Sequence, residues 1–398
     1  MSNPIRKITI QGMMLQAAYW FGCCTYYAFM VTTLVDYGWS DSAAAAAMTA
    51  MSVITIVTQP FMGYLCDRFI SEKKMTILFL IAGAIIFVLS PFLLASGNVG
   101  LILINLAVIT LTAVPVGGFL DAWIVGLKQE YPEINYGLLR GTGSLSYALS
   151  AQITGMLTLA FGHNLRFFIG SAAFIIAVLA ALTFRPAKRN LKADSKENPL
   201  PQIKGLAAVK LLFSSKQYNL LLTVSFSLLI CNYTMGTLIQ LIIPDLGGTA
   251  AHIGTATAIM AGSEVPMMFL MALILKKIGF SKIFAFCSVI YVLRMFITAS
   301  IDTVNGMIYI QALQGLSYAV LLPASMSYLS HILDERIRST AVTTYAAVTV
   351  SLASFLGNLI TSALLANGLS ANFILLVFSF SALIGFSLTI FGVIRKIW

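Results

Sequence analysis

Charged side chains are scarce in this sequence. Of 398 residues, 24 are Lys or Arg and 14 are Asp or Glu, so charge makes up 10% of the chain. A soluble domain keeps about a quarter of its residues charged because its surface must face water. A chain this poor in charge needs an apolar solvent, in keeping with 59% hydrophobic residues and a mean hydropathy of +0.91. Histidine is nearly missing, with only His163, His252 and His331. There is no HExxH and no GxxxxGK[ST], so a membrane metalloprotease or an ATP-driven pump loses its main support. The five cysteines (Cys23, Cys24, Cys66, Cys231, Cys287) show no CxxC spacing and lie in or beside apolar runs. They imply buried thiols, with neither a disulfide framework nor a metal site. No cofactor is implied. The amino end lacks the short apolar core and small-residue cleavage site of a secretory signal, and reads as a retained first helix.

What is present is a series of apolar runs of spanning length, about 20 residues each. Six cover 11–34, 43–65, 75–96, 100–127, 137–161 and 165–184, and six more cover 217–243, 252–275, 281–300, 304–330, 338–366 and 370–394. The one long polar stretch, broken by Pro186, Pro199 and Pro201, separates them. The expected organisation is an amino-terminal bundle (1–184), a cytoplasmic linker (185–216) and a carboxy-terminal bundle (217–398). The net charge of +10 is dispersed in short tracts such as Lys276-Lys277 and Arg395-Lys396. Such tracts suit membrane loops and give no continuous patch for nucleic acid. With both termini cytoplasmic, the inner loops collect the Lys and Arg, while the outer loops hold Asp36, Asp41, Asp245 and Asp302, with Arg166 as their only Lys or Arg. The halves also echo each other: Arg140, Thr142, Tyr147 and Ala148 recur at the same spacing as Arg338, Thr340, Tyr345 and Ala346. Internal repeats of this kind build transporter folds.

Ionisable residues inside the spans are functional candidates by default, because lipid makes them costly unless they face a cavity or a partner. Four stand out: Asp121, Arg140, Glu264 and Arg294. At a rise of 1.5 Å per residue, Glu264 and Arg294 both lie ~18 Å from the inner edge, near the midplane, and Asp121 and Arg140 both lie ~10 Å in. They read as two acid–arginine pairs matched in depth, one per half; the alternative is that they merely glue adjacent helices. Tyr147, Asn232, Tyr233, Gln240, Gln311, Gln314, Ser317, Tyr318 and Asn358 accompany them. Amides and phenols facing one cavity suit a neutral, hydroxyl-rich ligand; ordinary interhelical hydrogen bonds are the alternative. Gly141-Thr142-Gly143-Ser144 follows no strand, and reads as close helix packing rather than a phosphate turn.

The loop Gly63-Tyr64-Leu65-Cys66-Asp67-Arg68-Phe69-Ile70-Ser71-Glu72-Lys73-Lys74 resembles the signature loop of the major facilitator superfamily, G-x-L-a-D-r-x-G-r-k, with the second glycine replaced. Pro115 through Asp121, Tyr136 through Ser144, Ser263-Glu264-Val265-Pro266 and Tyr291-Val292-Leu293-Arg294 are similar to motifs of its lactose-permease, nucleoside–proton-symporter and phenylpropionate-permease-like branch. The resemblance implies an all-α membrane protein, twelve helices in two pseudo-symmetric six-helix bundles, in a bacterial inner membrane. It implies no enzyme, but a secondary transporter working by alternating access: proton symport of a sugar, oligosaccharide or nucleoside, acting as a monomer. Efflux of drugs or aromatic metabolites, or uptake of an aromatic acid, is the alternative. It also implies substrate contacts at Asp121, Arg140, Tyr147 and Glu264, to which the polar and aromatic residues above add Asn232, Tyr233, Gln311, Gln314 and Tyr318 as candidates. Coupling falls to Glu264, Arg294 and Asp121, and gating to Gly63, Asp67 and Arg68. One departure matters: the histidine and proton-binding glutamate of lactose permease's helix ten correspond here to Gln314 and Ser317, so either the coupling site lies elsewhere or coupling is absent.

Overall fold

The computed structural model describes residues 3–68, 70–131, 133–184, 206–333 and 335–398. Within them the only regular structure is helical. α1 (Asn3–Tyr27) and α2 (Met30–Asp36) make the first crossing. α3 (Asp41–Arg68), α4 (Glu72–Ala95), α5 (Val99–Glu130), α6 (Tyr136–Phe161) and α7 (Asn164–Thr183) complete six. A short α8 (Leu206–Ser214) precedes α9 (Lys216–Asp245), α10 (Ala250–Lys277) and α11 (Phe280–Ala299). The tenth crossing joins α12 (Val304–Tyr309), a 3-10 turn (Ile310–Leu313) and α13 (Gln314–Ile332). The eleventh joins α14 (Glu335–Ala346), a π turn (Ala347–Leu352) and α15 (Ala353–Ala366), and α16 (Ala371–Ile394) ends the chain.

The loops are short because the helices carry their own stop signals. Asn98, Asn135, Ser215 and Ser370 each accept a first-turn N–H through the side chain, satisfying a donor that the helix itself leaves unpaired. Gly38 and Gly247, with φ of 87° and 81°, turn the chain after α2 and α9, a conformation open to glycine at little cost. The expected linker differs in one respect. Its stretch 185–205 lies outside the described residues, but its end forms α8, an apolar helix that packs on α9 and α14.

Large apolar side chains are exposed at helical spacing along α4 (Leu78, Ile81, Ile85, Phe92), α7, α11 (Phe286, Val289, Leu293, Ile297) and α16. Faces of that size would aggregate in water, and a bilayer covers them. Among the described residues, ten stretches are long and apolar enough to cross on that ground alone, and α1 and α6 are not among them. The polar residues of α6 explain its low hydropathy. Ser146 Oγ donates to the Ala17 carbonyl and Ser150 Oγ to that of Phe21, both at 2.8 Å, fastening α6 to α1.

The two sets of six pack alike. In the first, α1 lies on α6 and α7, α4 on α5 and α7, and α3 on α5. In the second, α9 lies on α15 and α16, α11 on α13 and α16, and α10 on α13. The sets meet along α6 with α10 and α3 with α15. At Gly155 and Gly254 the two backbones come so close that a Cβ on Gly155 would stand 2.7 Å from the Ala250 carbonyl oxygen. Ser52 and Ser354 touch at 3.1 Å, and Ser362 donates to the Ser42 carbonyl at 2.8 Å.

The first span departs from its expected continuity at Ala28–Phe29, between α1 and α2. The break strands backbone groups, and Gln240 of α9 takes them up. Its Oε1 accepts from Val31 N at 2.9 Å, and its Nε2 donates to the Tyr27 carbonyl at 3.2 Å. One amide from the second bundle thus completes a helix of the first, at the end carrying Asp36 and Asp245. Each buried group left unsatisfied costs about 1–3 kcal/mol, so Gln240→Leu should loosen this clasp by about tenfold. Maleimide labelling of a cysteine placed at Thr32 reads it as a rate; an unchanged rate would show that the amide holds nothing shut.

Candidate functional site

Arg140 stands one turn inside α6, behind the Asn135 cap. Its guanidinium carbon lies 4.4 Å from the centroid of the Trp20 ring on α1, and its Nη1 donates to Ser144 Oγ at 3.3 Å. The indole is held in turn: Nε1 donates to Gln16 Oε1 at 2.8 Å, and the Tyr147 ring meets it edge to face at 6.3 Å. Arg140, Trp20 and Tyr147 are all half-buried. Asp121 is half-buried in α5, a helix that packs chiefly on α3 and α4.

Glu264 stands on α10 of the other bundle, also half-buried. Gln314 Nε2 donates to its Oε1 at 3.1 Å, and the charges of Arg140 and Arg294 both reach it. Tyr147 and Tyr318 lie within its field as well, with Tyr233 beside Tyr318. Ser263 Oγ accepts from Gly315 N at 3.0 Å, which fixes α10 against α13 at this level.

Arg294 is fully buried on α11. It donates to Gln314 Oε1, to Gln311 Oε1 at 2.8 Å and to Asn232 Oδ1 at 3.5 Å. Gln311 is oriented by its own bond to the Met307 carbonyl at 3.1 Å. The expected direct Glu264–Arg294 pair is therefore corrected. The two are joined through Gln314, because α13 packs on both α10 and α11 and lies between them. An amide passes the contact on: its oxygen faces the cation and its N–H faces the carboxylate.

The structure thus gathers Arg140, Tyr147, Tyr233, Glu264, Gln314 and Tyr318 about the bundle interface, with Asn232, Gln311 and Arg294 behind them. Gly63, Asp67 and Arg68 occupy the last turns of α3, and the gating role read for them lies outside the described side chains. Arg166 is no loop charge. It is fully buried in the first turn of α7, donating to the Phe29 carbonyl at 3.1 Å and lying over the Phe167 ring at 4.9 Å. His163 and Asp36 pair nearby at 2.8 Å. Trp20 and Gln16 were missed in the sequence. A Gln and a Trp four residues apart in an apolar run were the signal, since that spacing puts them on one helix face.

A family model described as the MFS_1-like family matches residues 17–377. The chain belongs to that family. It is 29% identical over 216 residues to the maltose permease of Geobacillus stearothermophilus, covering 54% of this chain and 52% of that protein. It is 23% identical over 218 residues to the uncharacterized transporter YwbF of Bacillus subtilis (strain 168), covering 54% of this chain and 51% of that one. The chain thus matches about half the length of these curated relatives. Among solved structures, the nucleoside transporter NupG superposes with a TM-score of 0.74 at 15% identity, covering 96% of this chain and 98% of that one. A bacterial homologue of the human lysosomal transporter Spinster, inward-facing and unoccupied, gives 0.70 at 12% identity, covering 99% and 96%. These likenesses show the fold, the twelve-helix architecture of the major facilitator kind expected from the sequence, and with the family match they make this a membrane-embedded protein of that kind.

Proposed function

We propose that the protein takes up a small, hydroxyl-rich solute, a sugar or a nucleoside, by proton symport with alternating access. One observation carries this reading: a guanidinium on the first bundle and a carboxylate on the second, Arg140 of α6 and Glu264 of α10, stand half-buried on the two helices that meet along the bundle interface. A solute between them would accept hydrogen bonds from Arg140 and donate them to Glu264. A hydroxyl does both, and Tyr147 and Tyr318 offer ring faces to the carbon skeleton. The likeness to a maltose permease and to a nucleoside transporter favours the same solute classes. An exporter of apolar drugs would have little use for two opposed charges, which argues against the efflux alternative.

In this reading the Lys- and Arg-bearing end faces the cytoplasm with both termini, in a bacterial inner membrane. The monomer is the working unit, since one chain supplies both bundles. Contacts at the Asp36 end, Gln240 above all, hold that entrance shut, and rocking about the interface opens it. Asp67 and Arg68, at the opposite end, keep their proposed part in gating.

The test is transport by proteoliposomes with an imposed pH gradient, using radiolabelled maltose and uridine as probes. Accumulation of either, lost when the gradient is collapsed, is the expected result, and a cysteine at Asp36 but not at Lys276 should label from the side of entry. Accumulation that ignores the gradient would replace symport by another driving force. Transport of neither probe would remove the solute classes proposed.

A further inference from the structure

We infer that Trp20 is a positioning residue: it sets the plane of the Arg140 guanidinium, and so decides where that donor fork meets the solute. This rests on the transport reading above. Three independent features hold the indole in place for the task. The first is steric. A Cβ at Gly143 of α6 would run into Trp20 Cδ1, so this glycine leaves the slot that the ring fills. The second is the bond from Nε1 to Gln16 Oε1 at 2.8 Å, one turn back on the same helix, which fixes the rotation of the ring. The third is the half-buried Tyr147 ring set edge-on to it at 6.3 Å.

Onto this fixed platform Arg140 places its guanidinium carbon, 4.4 Å from the ring centroid. A guanidinium has five N–H donors in one plane. Resting over the ring engages its cationic face and leaves the edges that carry the N–H groups free to donate. Among the described residues only one of them is bonded, to Ser144 at 3.3 Å. The other donors are available for two neighbouring oxygens of a solute. A fork held before the solute arrives loses less conformational freedom on binding, so the platform raises affinity without touching the rocking motion.

Transport kinetics and binding test this in the full-length protein, with maltose and uridine as probes. Trp20→Leu should raise KM and Kd about tenfold with kcat within about twofold, the pattern of lost ground-state binding. Trp20→Phe should recover most of the loss, because a smaller ring still carries a cation on its face. Combined with Arg140→Lys, Trp20→Leu should add little, since both act through one contact. An unchanged KM in Trp20→Leu overturns the inference, and so do losses that multiply in the double variant. If the wild type moves neither probe, the solute reading has failed, and the Trp20 role is decided by fluorescence. In protein with Trp39, Trp123 and Trp398 replaced by Phe, Arg140→Gln should change the Trp20 emission. An unaltered spectrum overturns the inference. The same spectrum decides the matter if Trp20→Leu does not insert.

Discussion

Glu264→Gln should abolish accumulation of solute driven by a pH gradient, while exchange without a gradient survives at a measurable rate. The amide keeps the shape and one acceptor oxygen of the acid but has no proton to give up. Geometry sharpens which cation matters. Arg294 belongs to the same bundle as Glu264 and reaches it through Gln314, so its distance stays nearly fixed as the bundles rock. Arg140 belongs to the other bundle, so under the proposed rocking its distance would change. With Arg140 close, its charge would balance the carboxylate; with Arg140 withdrawn or engaged by solute, a proton is what remains to do so. Proteoliposomes loaded for exchange and for accumulation separate the two outcomes. Gradient-driven accumulation at the wild-type level in Glu264→Gln would pass the carrier's role to Asp121, with Asp121→Asn as the next variant.

Arg140→Lys keeps the charge and should still weaken solute binding by about tenfold to a hundredfold. An ammonium has no planar fork to hold two oxygens and cannot spread over the indole as a guanidinium does. Thermal shift of the purified protein with solute reads the loss directly, since a ligand stabilises the folded state in proportion to its occupancy. Expression and melting without solute should stay near wild type, because the side chain is half-buried. Wild-type affinity in this variant would mean that Arg140 only joins α6 to α1.

The architecture was legible in the residues because a bilayer leaves few choices. Backbone groups in lipid must be paired internally, so each long apolar run has to be a helix. The ends of most apolar runs fall within a few residues of the helix ends, where asparagines and serines cap the helices. The repeat of Arg140 and Tyr147 as Arg338 and Tyr345 was a true echo in packing: α6 lies on α1 and reaches α10, and the crossing that holds Tyr345 lies on α9 and reaches α3. Depth was legible as well, since rise per residue alone puts Glu264 and Arg294 at one level.

Neighbourhood was not legible. Equal depth on consecutive helices suggested contact, but chain order does not fix which helix stands between two others, and α13 separates α10 from α11. Gln314, read as the vacant place of a lost histidine, turned out to be the bridge between the acid and the base. Trp20 went unnoticed because a tryptophan in an apolar span is ordinarily packing. Only the glycine opposite it and the guanidinium on its face set it apart. Gln240 likewise gained its meaning from a break in a helix 209 residues away. Hydropathy and helix signals act within a turn or two of chain, so the sequence by itself settled the spans, their ends and their depths. Contacts between side chains depend on the rotation and order of helices around two bundles, which packing over the whole molecule sets, and so tertiary structure alone decided what meets Glu264 and Arg140.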